Sequence, residues 1–428
     1  MEPSALVARA LSVDTGGIML EALATPAYLP WSRIGSIYLV GAGKGCEAMA
    51  QSARSILSHR IRAGCLAVPH AASPVTSGRC RFIPAGHPFA DEGSRIAAMA
   101  IKDLLEAAGP NDLVISLLSG GASAMVSLPP ADVTPEDKQV TISLLLQSGA
   151  SIAEINTVRR HLSGLKGGRA AEAAFPARVW NLILSDVPGD DLATIGSGLF
   201  APDPTTYVDA IRVLARHRIG HAVPSAVRSH LEQGAAGRHP DTPTVGDVVF
   251  QRTVNAIIGS NETAQEANRT EAAHEGIRRV RLLPGFLTGE ARECAVRFAR
   301  EMKAFASTTP EGTPALLIAG GETTVTVSGK GIGGRNQELA LACASEIDGE
   351  SGLFVLAAGS DGVDGVSDAA GAYADHTTRA RGMALDLRLW SYLERNDSHS
   401  YFSALGDLIH TGPTGTNVAD VALGLVLR

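Results

Sequence analysis

Short apolar runs alternate with longer stretches of helical periodicity along the chain. In the first half, the runs predict strands and the periodic stretches predict helices. Thr134 followed by Pro135 is typical of a helix start, because an N-cap residue then precedes proline at the first helical position. The predicted strands lie near residues 37–40, 65–69, 112–118 and 179–184, and the predicted helices near residues 47–59, 91–108, 134–147 and 157–174.

The second half continues the same alternation. Strands are predicted near residues 256–259, 280–283, 315–319, 323–327, 353–357 and 421–427, and helices near residues 262–274, 289–306 and 337–346. This order of elements favours parallel sheets covered by helices. We therefore expect the α/β class, with two α/β domains whose helix-flanked sheets are mainly parallel.

A polar stretch rich in glycine and proline, residues 232–247, predicts the linker between these domains. The predicted domains then span residues 1–240 and 250–428, the first of them Rossmann-like. An alternative for the last strand is that it packs back onto the first domain. A chain of 428 residues is too long for one ordinary hydrophobic core, which also favours two domains.

Composition narrows the classes of function. The net charge is −7, and no concentrated basic face is visible, so nucleic acid is not expected as a partner. The five cysteines show no metal-binding spacing and are odd in number, which favours a reducing compartment. No apolar run has the length of a membrane span, and the N-terminus lacks the features of a signal peptide. We expect a cytoplasmic protein with no membrane partner.

The first apolar run leads into the glycine-rich segment VGAGKG, which contains Lys44. A phosphate-binding loop is expected at this place, but two common templates fail. A Walker A loop requires glycine where Tyr38 stands and serine or threonine where Gly45 stands. The dinucleotide fingerprint requires glycine at Cys46. Lys44 therefore needs another explanation than a P-loop.

A second glycine-rich segment, LLSGGASA, follows a predicted strand and offers backbone N–H groups and hydroxyls to an anion. The alternative is a strand-to-helix turn that only needs small residues. Further along, Asn156, Arg159 and Lys166 are spaced by three and seven, so a continuous helix would place them on one face. Such a face suits an anionic substrate or a polyphosphate, although charged faces are often only solvated.

Carboxylates follow the strand near residue 184. Asp186, Asp190 and Asp191 are suitable ligands for a hydrated Mg²⁺ ion, or they cap turns. The next loop contains Gly196 and Gly198 and adds a further flexible turn.

In the second half, Arg335 follows two glycines and precedes a predicted helix, where its guanidinium is suited to grip a phosphate or carboxylate. A structural arginine between two loops is the alternative. Asp361 and Asp364 lie on a loop after a strand and suit metal binding or general base catalysis, but aspartate is also common in turns. Glycine-rich loops that carry Lys, Arg and Asp at strand ends fit phosphoryl transfer.

Together these motifs resemble the signature blocks of the type-2 glycerate kinases, whose C-terminal domain is named MOFRL. The segments that carry the resemblance are GAGKGCEAM, LLSGGASAM, NTVRRHLSGLKGGRAA, LSDVPGDDLATIGSGLFAPDPTT, AGGETTVTVSGKGIGGRNQELAL, AAGSDGVDGVSDAAGA and TGPTGTNVADV. They occur in family order from about residue 5 to the C-terminus. The long block SDVPGDDLATIGSGLFAPDPTT is highly specific.

The resemblance implies a two-domain α/β kinase with its active site in an interdomain cleft. It implies that Mg²⁺-dependent phosphoryl transfer from ATP to the 2-hydroxyl of D-glycerate gives 2-phosphoglycerate and ADP, in a monomer or homodimer. By motif, catalysis is carried over to Lys44 and Arg335.

The remaining roles follow from charge and loop position. Asp361 is expected to be catalytic. The expected substrate-binding residues are Asn156, Arg159, Glu322 and Asn417. The expected ATP-binding residues are Ser119, Gly120, Gly121, Ser123, Lys166, Asp186, Gly196 and Gly198, and the metal ligands are Asp190 and Asp364.

Two rival functions stay open at this point. One is an NAD(P)H-dependent hydroxypyruvate reductase, against which the incomplete fingerprint at Gly41 argues. The other is a non-catalytic sugar-acid-binding protein, against which the presence of Lys44 and Arg335 argues.

Overall fold

The computed structural model describes residues 34–70 and 76–427. The chain divides into two compact units between Ile258 and Gly259. We call the described residues up to Ile258 the N-terminal unit and those from Gly259 the C-terminal unit. The first 33 residues of the predicted first domain lie outside the described residues.

The N-terminal unit is built on a seven-stranded sheet in the order β3-β4-β2-β1-β5-β6-β7. Strands β1, β2, β4, β5 and β6 pair in parallel, and β3 is antiparallel to β4. The strands are β1 (Ile37–Ala42), β2 (Ile61–Pro69), β3 (Thr76–Ser77), β4 (Cys80–Ala85), β5 (Leu113–Leu118), β6 (Arg178–Leu184) and β7 (Thr253–Gly259). From β1 the strand order runs to β2 on one side and to β5 on the other. The carboxyl ends of β1 and β5 therefore flank a topological switch point, where ligands of such sheets bind.

Helices cover both faces of this sheet. Alternate residues of β1 show why its apolar run is continuous: Ile37 and Leu39 pack with α1, and Tyr38 and Val40 pack with α2. The helices are α1 (Cys46–Leu57), α2 (Glu92–Glu106), α3 (Ala122–Met125), α4 (Pro135–Gln147), α5 (Ile152–His161), α6 (Arg169–Ala174), α7 (Tyr207–Arg216) and α8 (Ser225–Ala235). Helices α4, α5, α7 and α8 share a separate apolar core.

The C-terminal unit contains a six-stranded sheet in the order β12-β11-β10-β13-β9-β8. Its strands are β8 (Arg279–Glu290), β9 (Ala315–Thr324), β10 (Leu353–Gly359), β11 (Gly371–Asp375), β12 (Leu408–Ile409) and β13 (Asp420–Val426). Its helices are α9 (Asn261–His274), α10 (Ala291–Ser307), α11 (Arg335–Glu346), α12 (Thr378–Ala384), α13 (Leu389–Glu394) and α14 (Ser398–Leu405).

The predicted α/β class is confirmed, but the mainly parallel sheet is found only in the N-terminal unit. In the C-terminal unit β8 and β9 are parallel, and the other four strand pairs are antiparallel. Strand β13 lies between β10 and β9, so the last strand stays within its own unit. Residues 315–319 and the start of the strand predicted at 323–327 belong to the single strand β9.

Two further predictions of elements are corrected. The linker predicted at residues 232–247 lies within the N-terminal unit, and β7 after it is the last strand of that unit's sheet. The helix predicted at residues 157–174 is divided into α5 and α6, because Gly167 and Gly168 adopt positive φ values of 61° and 83° between them. The cap predicted at Thr134 is confirmed, since its hydroxyl accepts a 3.0 Å bond from the Asp137 N–H. No helix in the described ranges combines the length and apolarity needed to cross a membrane.

Candidate active site

Lys44 lies in a loop that is hydrogen-bonded to the second glycine-rich loop. The Lys44 N–H donates to the Gly120 carbonyl over 2.9 Å, and the Gly45 N–H donates to Ser119 Oγ over 2.8 Å. Gly43 has a φ of 125°, and a Cβ atom there would collide with Ser119. Because these loops follow β1 and β5, they form one paired structure at the switch point, which we call the paired loops (residues 43–45 and 119–121).

The paired loops refine the prediction of an ATP cradle at residues 119–123. The Ser119 side chain is buried and fixes the neighbouring loop. Gly121 adopts a φ of 91°, which supports its place at a tight turn. The Ser123 hydroxyl forms a short hydrogen bond with Ser197, whose hydroxyl also donates to Asn156 Oδ1 over 3.1 Å. ATP binding by these residues stays a prediction.

A cavity of about 420 Å³ opens beside this region, within the N-terminal unit. We call it the cationic pocket, because Lys138 of α4, Arg159 of α5 and Lys166 line it together. Ser123 and Ser127 contribute hydroxyls to the same wall. The volume lies in the range of small-molecule sites, which is roughly 300–1,000 Å³.

The structure brings Asn156, Arg159 and Lys166 together, but only Asn156 and Arg159 share one helix face as predicted. Helix α5 ends at His161, and the chain turns back before Lys166. The Lys166 ammonium donates to the carbonyls of Ser123, over 2.8 Å, and of Val126. Arg159 donates to Asn156 Oδ1 over 3.4 Å. Helical periodicity therefore explains the proximity of Asn156 and Arg159, and the turn after α5 brings Lys166 to them.

Lys138 is a member of the site that the sequence interpretation missed. The side chain is buried, and its ammonium has no hydrogen-bond partner among the described residues. Burial lowers the pKa of Lys138 to about 7, and the charge of Arg159 contributes to the lowering. A signal was present: Lys138, Thr141 and Leu145 are the buried residues of α4, and their spacing places a lysine on an otherwise core-facing stripe.

Lys166 and Arg159 also lie in surroundings that disfavour their positive charge. Burial lowers the pKa of Lys166 well below its ordinary value, and Lys138 and Arg159 add repulsion. Burial likewise lowers the pKa of Arg159. In the described part of the chain, no carboxylate forms an ion pair with any of the three (the ion pairs there involve other residues). These three side chains are therefore brought together without an ion-paired carboxylate among the described residues.

The remaining predicted residues of this unit lie at the end of β6 and in the loop after it. Gly196 and Gly198 adopt positive φ values of 58° and 70° on either side of Ser197. The Gly198 carbonyl accepts a 2.7 Å bond from the Gly168 N–H, so this loop supports the turn before α6. Asp186 and Asp190 are half-buried. Their nucleotide and metal roles stay predictions.

In the C-terminal unit, Arg335 at the start of α11 is held between two carboxylates. Its Nε donates to Asp420 Oδ2 over 2.5 Å, its Nη2 to Asp420 Oδ1 over 3.0 Å, and its Nη1 to Glu322 Oε1 over 2.8 Å. Asp420 lies opposite Gly321 in the β13–β9 pair, which is why both acids reach the same guanidinium. Arg335 and Glu322, which were predicted as separate site residues, are brought together, and Asp420 was missed.

We call Arg335, Asp420 and Glu322 the clamp. The ionisation of these side chains follows from their burial and their pairing. Burial opposes the charge of Arg335, but Asp420 and Glu322 outweigh it, so the pKa of Arg335 is raised. Burial also raises the pKa of Asp420, to about 6, against the pull of Arg335. The guanidinium is thus permanently charged and geometrically fixed.

Asp361 and Asn417 lie on loops at the same end of this sheet. The Asp361 and Asp420 carboxylates both lie against Gly359, at 3.3 and 3.4 Å from where its Cβ would stand. The loop that carries Asn417 is attached to the Asp361 loop, since the Thr414 N–H donates to the Asp361 carbonyl over 3.2 Å. The catalytic and substrate roles of Asp361 and Asn417 stay predictions.

Asp364 is better explained as a structural residue than as the predicted metal ligand. Its side chain is buried, and each carboxylate oxygen accepts two N–H bonds, from the backbone and side chains of Asn336 and Gln337. The carboxylate therefore fixes the first turn of α11. A cation at this position would displace four hydrogen bonds.

A cluster of Asp132, His230 and His239 brings together metal-ligand types within 4.8 Å. However, the two imidazole rings are stacked, with centroids 4.8 Å apart and planes 21° from parallel. A metal ion lies in the plane of each imidazole that binds it, about 2 Å from the nitrogen, so stacked and nearly parallel rings are an unfavourable geometry for one shared ion. His230 Nδ1 lies 3.0 Å from both Asp132 oxygens, so the arrangement is a hydrogen-bonded structural cluster.

The chain is similar to known proteins over most of its length. Residues 1–232 match a family model described as a domain of unknown function, DUF4147, and residues 315–420 match the MOFRL family. The chain is 41% identical to a protein of Agrobacterium vitis that is provisionally named a hydroxypyruvate reductase, over 92% of this chain and 100% of that protein. It is 39% identical to D-glycerate 2-kinase of Thermotoga maritima, over 93% of each chain. The crystal structure of glycerate kinase from Thermotoga maritima superimposes with a TM-score of 0.84 at 37% identity, covering 98% of this chain and 99% of the other.

Proposed function

Because this chain belongs to the glycerate kinase family, with its DUF4147 and MOFRL domains, we propose that it phosphorylates D-glycerate at the 2-hydroxyl with ATP, giving 2-phosphoglycerate and ADP. The observation that carries the proposal lies in the N-terminal unit. There the paired loops place Lys44 at a switch point, next to the loop that leads to a pocket in which Lys138, Arg159 and Lys166 have no ion-paired carboxylate among the described residues. A polyphosphate substrate supplies the charge that this pocket lacks.

In the proposed reaction, the 2-hydroxyl oxygen of glycerate bonds to the γ-phosphorus, and the bond from that phosphorus to the β–γ bridging oxygen breaks. Lys44 would neutralise negative charge on the transferred group. Arg335, fixed by Asp420 and Glu322, would bind the glycerate carboxylate or the phosphoryl oxygens. The hydroxyl proton would pass to a carboxylate, for which Asp361 is our candidate.

Mg²⁺ is expected with ATP, and the predicted carboxylates differ in how well they fit it. Asp364 does not fit, since its oxygens are occupied by N–H donors. Asp190 and Asp186 lie in the loop after β6, and both are half-buried. Their carboxylates offer oxygen ligands of the kind that Mg²⁺ prefers. When bound, the ion would reduce the charge repulsion between the phosphates and the attacking oxygen.

The decisive experiment is incubation with MgATP and D-glycerate, followed by phosphorus NMR of the product. We expect ADP and 2-phosphoglycerate. A 3-phosphoglycerate product, or no phosphorylated product, would overturn the proposal. A parallel incubation with NADH and hydroxypyruvate tests the reductase alternative. The structure argues against the reductase alternative. The dinucleotide fingerprint needs its third glycine at position 46, but this position holds Cys46, whose buried side chain lies against Gly41.

Lys44→Met tests the role of the lysine within this reaction. We expect kcat to fall by roughly 10²–10³, the usual cost of losing one electrostatic contact to the transition state. Lys102→Met is the matched control, because Lys102 lies on the exposed side of α2 in an ion pair with Glu106. Unchanged circular dichroism in both variants would show that folding is not the cause. Near-normal turnover by Lys44→Met would remove the residue from the mechanism.

A further inference from the structure

We propose that the cationic pocket is the nucleotide site and that Lys138, which the family resemblance does not assign, binds a nucleotide phosphate in it. This inference rests on the proposed function only for the identity of the ligand. The pocket, its charges and its apolar wall lie entirely within the N-terminal unit.

The first argument is the missing partner of Lys138. A buried ammonium group is costly unless it is hydrogen-bonded and paired. The neighbouring Lys166 is accounted for, because it donates to the carbonyls of Ser123 and Val126. Lys138 is only 6% exposed, and its ammonium group has no hydrogen-bond acceptor among the described residues. An anionic ligand that lies between Lys138 and Arg159 would provide the acceptor and the counterion together.

The second argument is the shape and chemistry of the pocket. The pocket also has an apolar part of its lining, which contains Phe89, Ile142 and Leu146. Phe89 and Leu146 are 58% and 51% exposed, which is high for large apolar side chains. A three-carbon acid would leave this wall uncovered. A nucleotide matches both parts, with its phosphates on the cations and its flat base on the apolar side chains.

The carboxylates of the pocket do not neutralise its cations. Asp91 caps α2 and accepts bonds from the N–H groups of Ser94 and Gly86, and Glu92 pairs with Arg95. Glu136 is exposed at the first turn of α4. None of these carboxylates therefore pairs with Lys138, Arg159 or Lys166, and a bound anion would favour the charged forms of the three side chains.

The experiment measures ADP binding to the full chain by calorimetry, with inorganic tripolyphosphate as a competitor. We expect tripolyphosphate to compete with ADP in the wild-type protein. Lys138→Met should weaken ADP binding about tenfold or more, since hydrogen bonds to charged groups contribute about that factor. Lys102→Met, the exposed control, should bind ADP as the wild type does.

Thermal unfolding without ligand separates a binding role from a structural one. Lys138→Met removes an unpaired buried charge and keeps the side-chain volume, so we expect its Tm to rise by a few degrees. A lower Tm with unchanged ADP affinity would show that Lys138 is structural and would overturn the proposal. Competition by D-glycerate but not by tripolyphosphate would also overturn it, because the pocket would then be an organic-acid site.

The outcomes distinguish this inference from the proposed function. If the protein makes 2-phosphoglycerate and Lys138→Met binds ADP normally, the inference fails and the function stands. If no phosphoglycerate forms but ADP binding depends on Lys138, the function fails and the nucleotide site stands.

Discussion

The two units of this protein treat buried positive charge in opposite ways. In the N-terminal unit, Lys138 and Arg159 line the cationic pocket without a carboxylate partner among the described residues, and burial lowers the pKa of both. In the C-terminal unit, Asp420 and Glu322 hold Arg335, whose pKa is raised. In the first arrangement, the side chains have no carboxylate partner in the described part of the chain and can pair with an anionic ligand. In the second, two carboxylates balance the charge of the guanidinium and fix its position.

This difference has an energetic meaning. Unpaired buried cations destabilise the unliganded fold, so they are retained where a ligand supplies the missing charge. A guanidinium with a bidentate carboxylate partner is oriented before the substrate arrives, so less ordering is needed during the reaction. We therefore expect mutations in the pocket to change nucleotide affinity and mutations in the clamp to change turnover.

The largest effect is expected for Arg335→Lys. Lysine keeps the charge but cannot contact Asp420 and Glu322 with a planar fork, so kcat should fall by roughly 10²–10³. Steady-state kinetics with glycerate and MgATP gives the measurement. Arg381→Lys is the matched control, because Arg381 forms a similar two-point contact with Asp407 at 3.1 and 2.7 Å. Equal losses in both variants would indicate a general folding defect and would break the comparison.

Asp420→Asn should have the next largest effect. Loss of the charged partner of Arg335 removes about 1.5–3 kcal/mol of hydrogen bonding, which corresponds to roughly a tenfold to hundredfold loss in kcat. The pH profile adds a sharper criterion. The raised pKa of Asp420, about 6, means that the carboxylate is charged above this pH and loses its charge as pH falls through it.

Wild-type turnover should therefore decline below about pH 6, and the decline should be absent in Asp420→Asn. The other charged groups that face this carboxyl are Arg335, Glu322, Asp361 and Asp364. An acid decline at the same pH in both proteins would assign it to another group.

The smallest effect concerns the pH dependence of stability in the pocket. The folded-state pKa of Lys138, about 7, lies below the ordinary value of 10.5. Between these values the unfolded state binds more protons, so the wild type gains stability as pH rises, and below about pH 7 this slope disappears. The Tm advantage of Lys138→Met should thus be largest at pH 7 or below and should shrink toward pH 10.

Differential scanning fluorimetry from pH 6 to pH 10 would measure that difference. Arg159 and Lys166 line the pocket with Lys138, as do Asp91, Glu92, Arg95 and Glu136, and they are present in both proteins, so their own titration largely cancels. A Tm difference that does not change with pH would mean that folding does not lower the pKa of Lys138.

The sequence was sufficient to predict the class of fold and most loops that carry polar residues. Apolar runs and helical periodicity located β1, β5 and α4, and glycine-rich motifs located the paired loops. The mainly parallel sheet predicted for the C-terminal unit was wrong, because a buried apolar run looks alike in parallel and antiparallel pairs. The break after α5 was missed because local periodicity continues through residues whose glycines adopt positive φ.

The site residues that were missed share a physical cause. Lys138 lies on the buried stripe of α4, and Asp420 is the first residue of the central strand β13, so each departs from the polarity expected at its position. Sequence patterns treat such residues as exceptions within a core element. Only the tertiary structure shows what they face: a cavity for Lys138 and a guanidinium for Asp420.

The paired loops have a mechanical consequence for Lys44. Its backbone is tied to Gly120, and Gly43 and Gly45 contact Ser119, so the lysine loop cannot move as a separate flap. The position of this loop is set by the adjacent strands β1 and β5 in the middle of the sheet. Such central strands are among the stiffest parts of a fold. The reorganisation needed to aim the lysine is therefore completed when the chain folds and does not recur in each catalytic cycle.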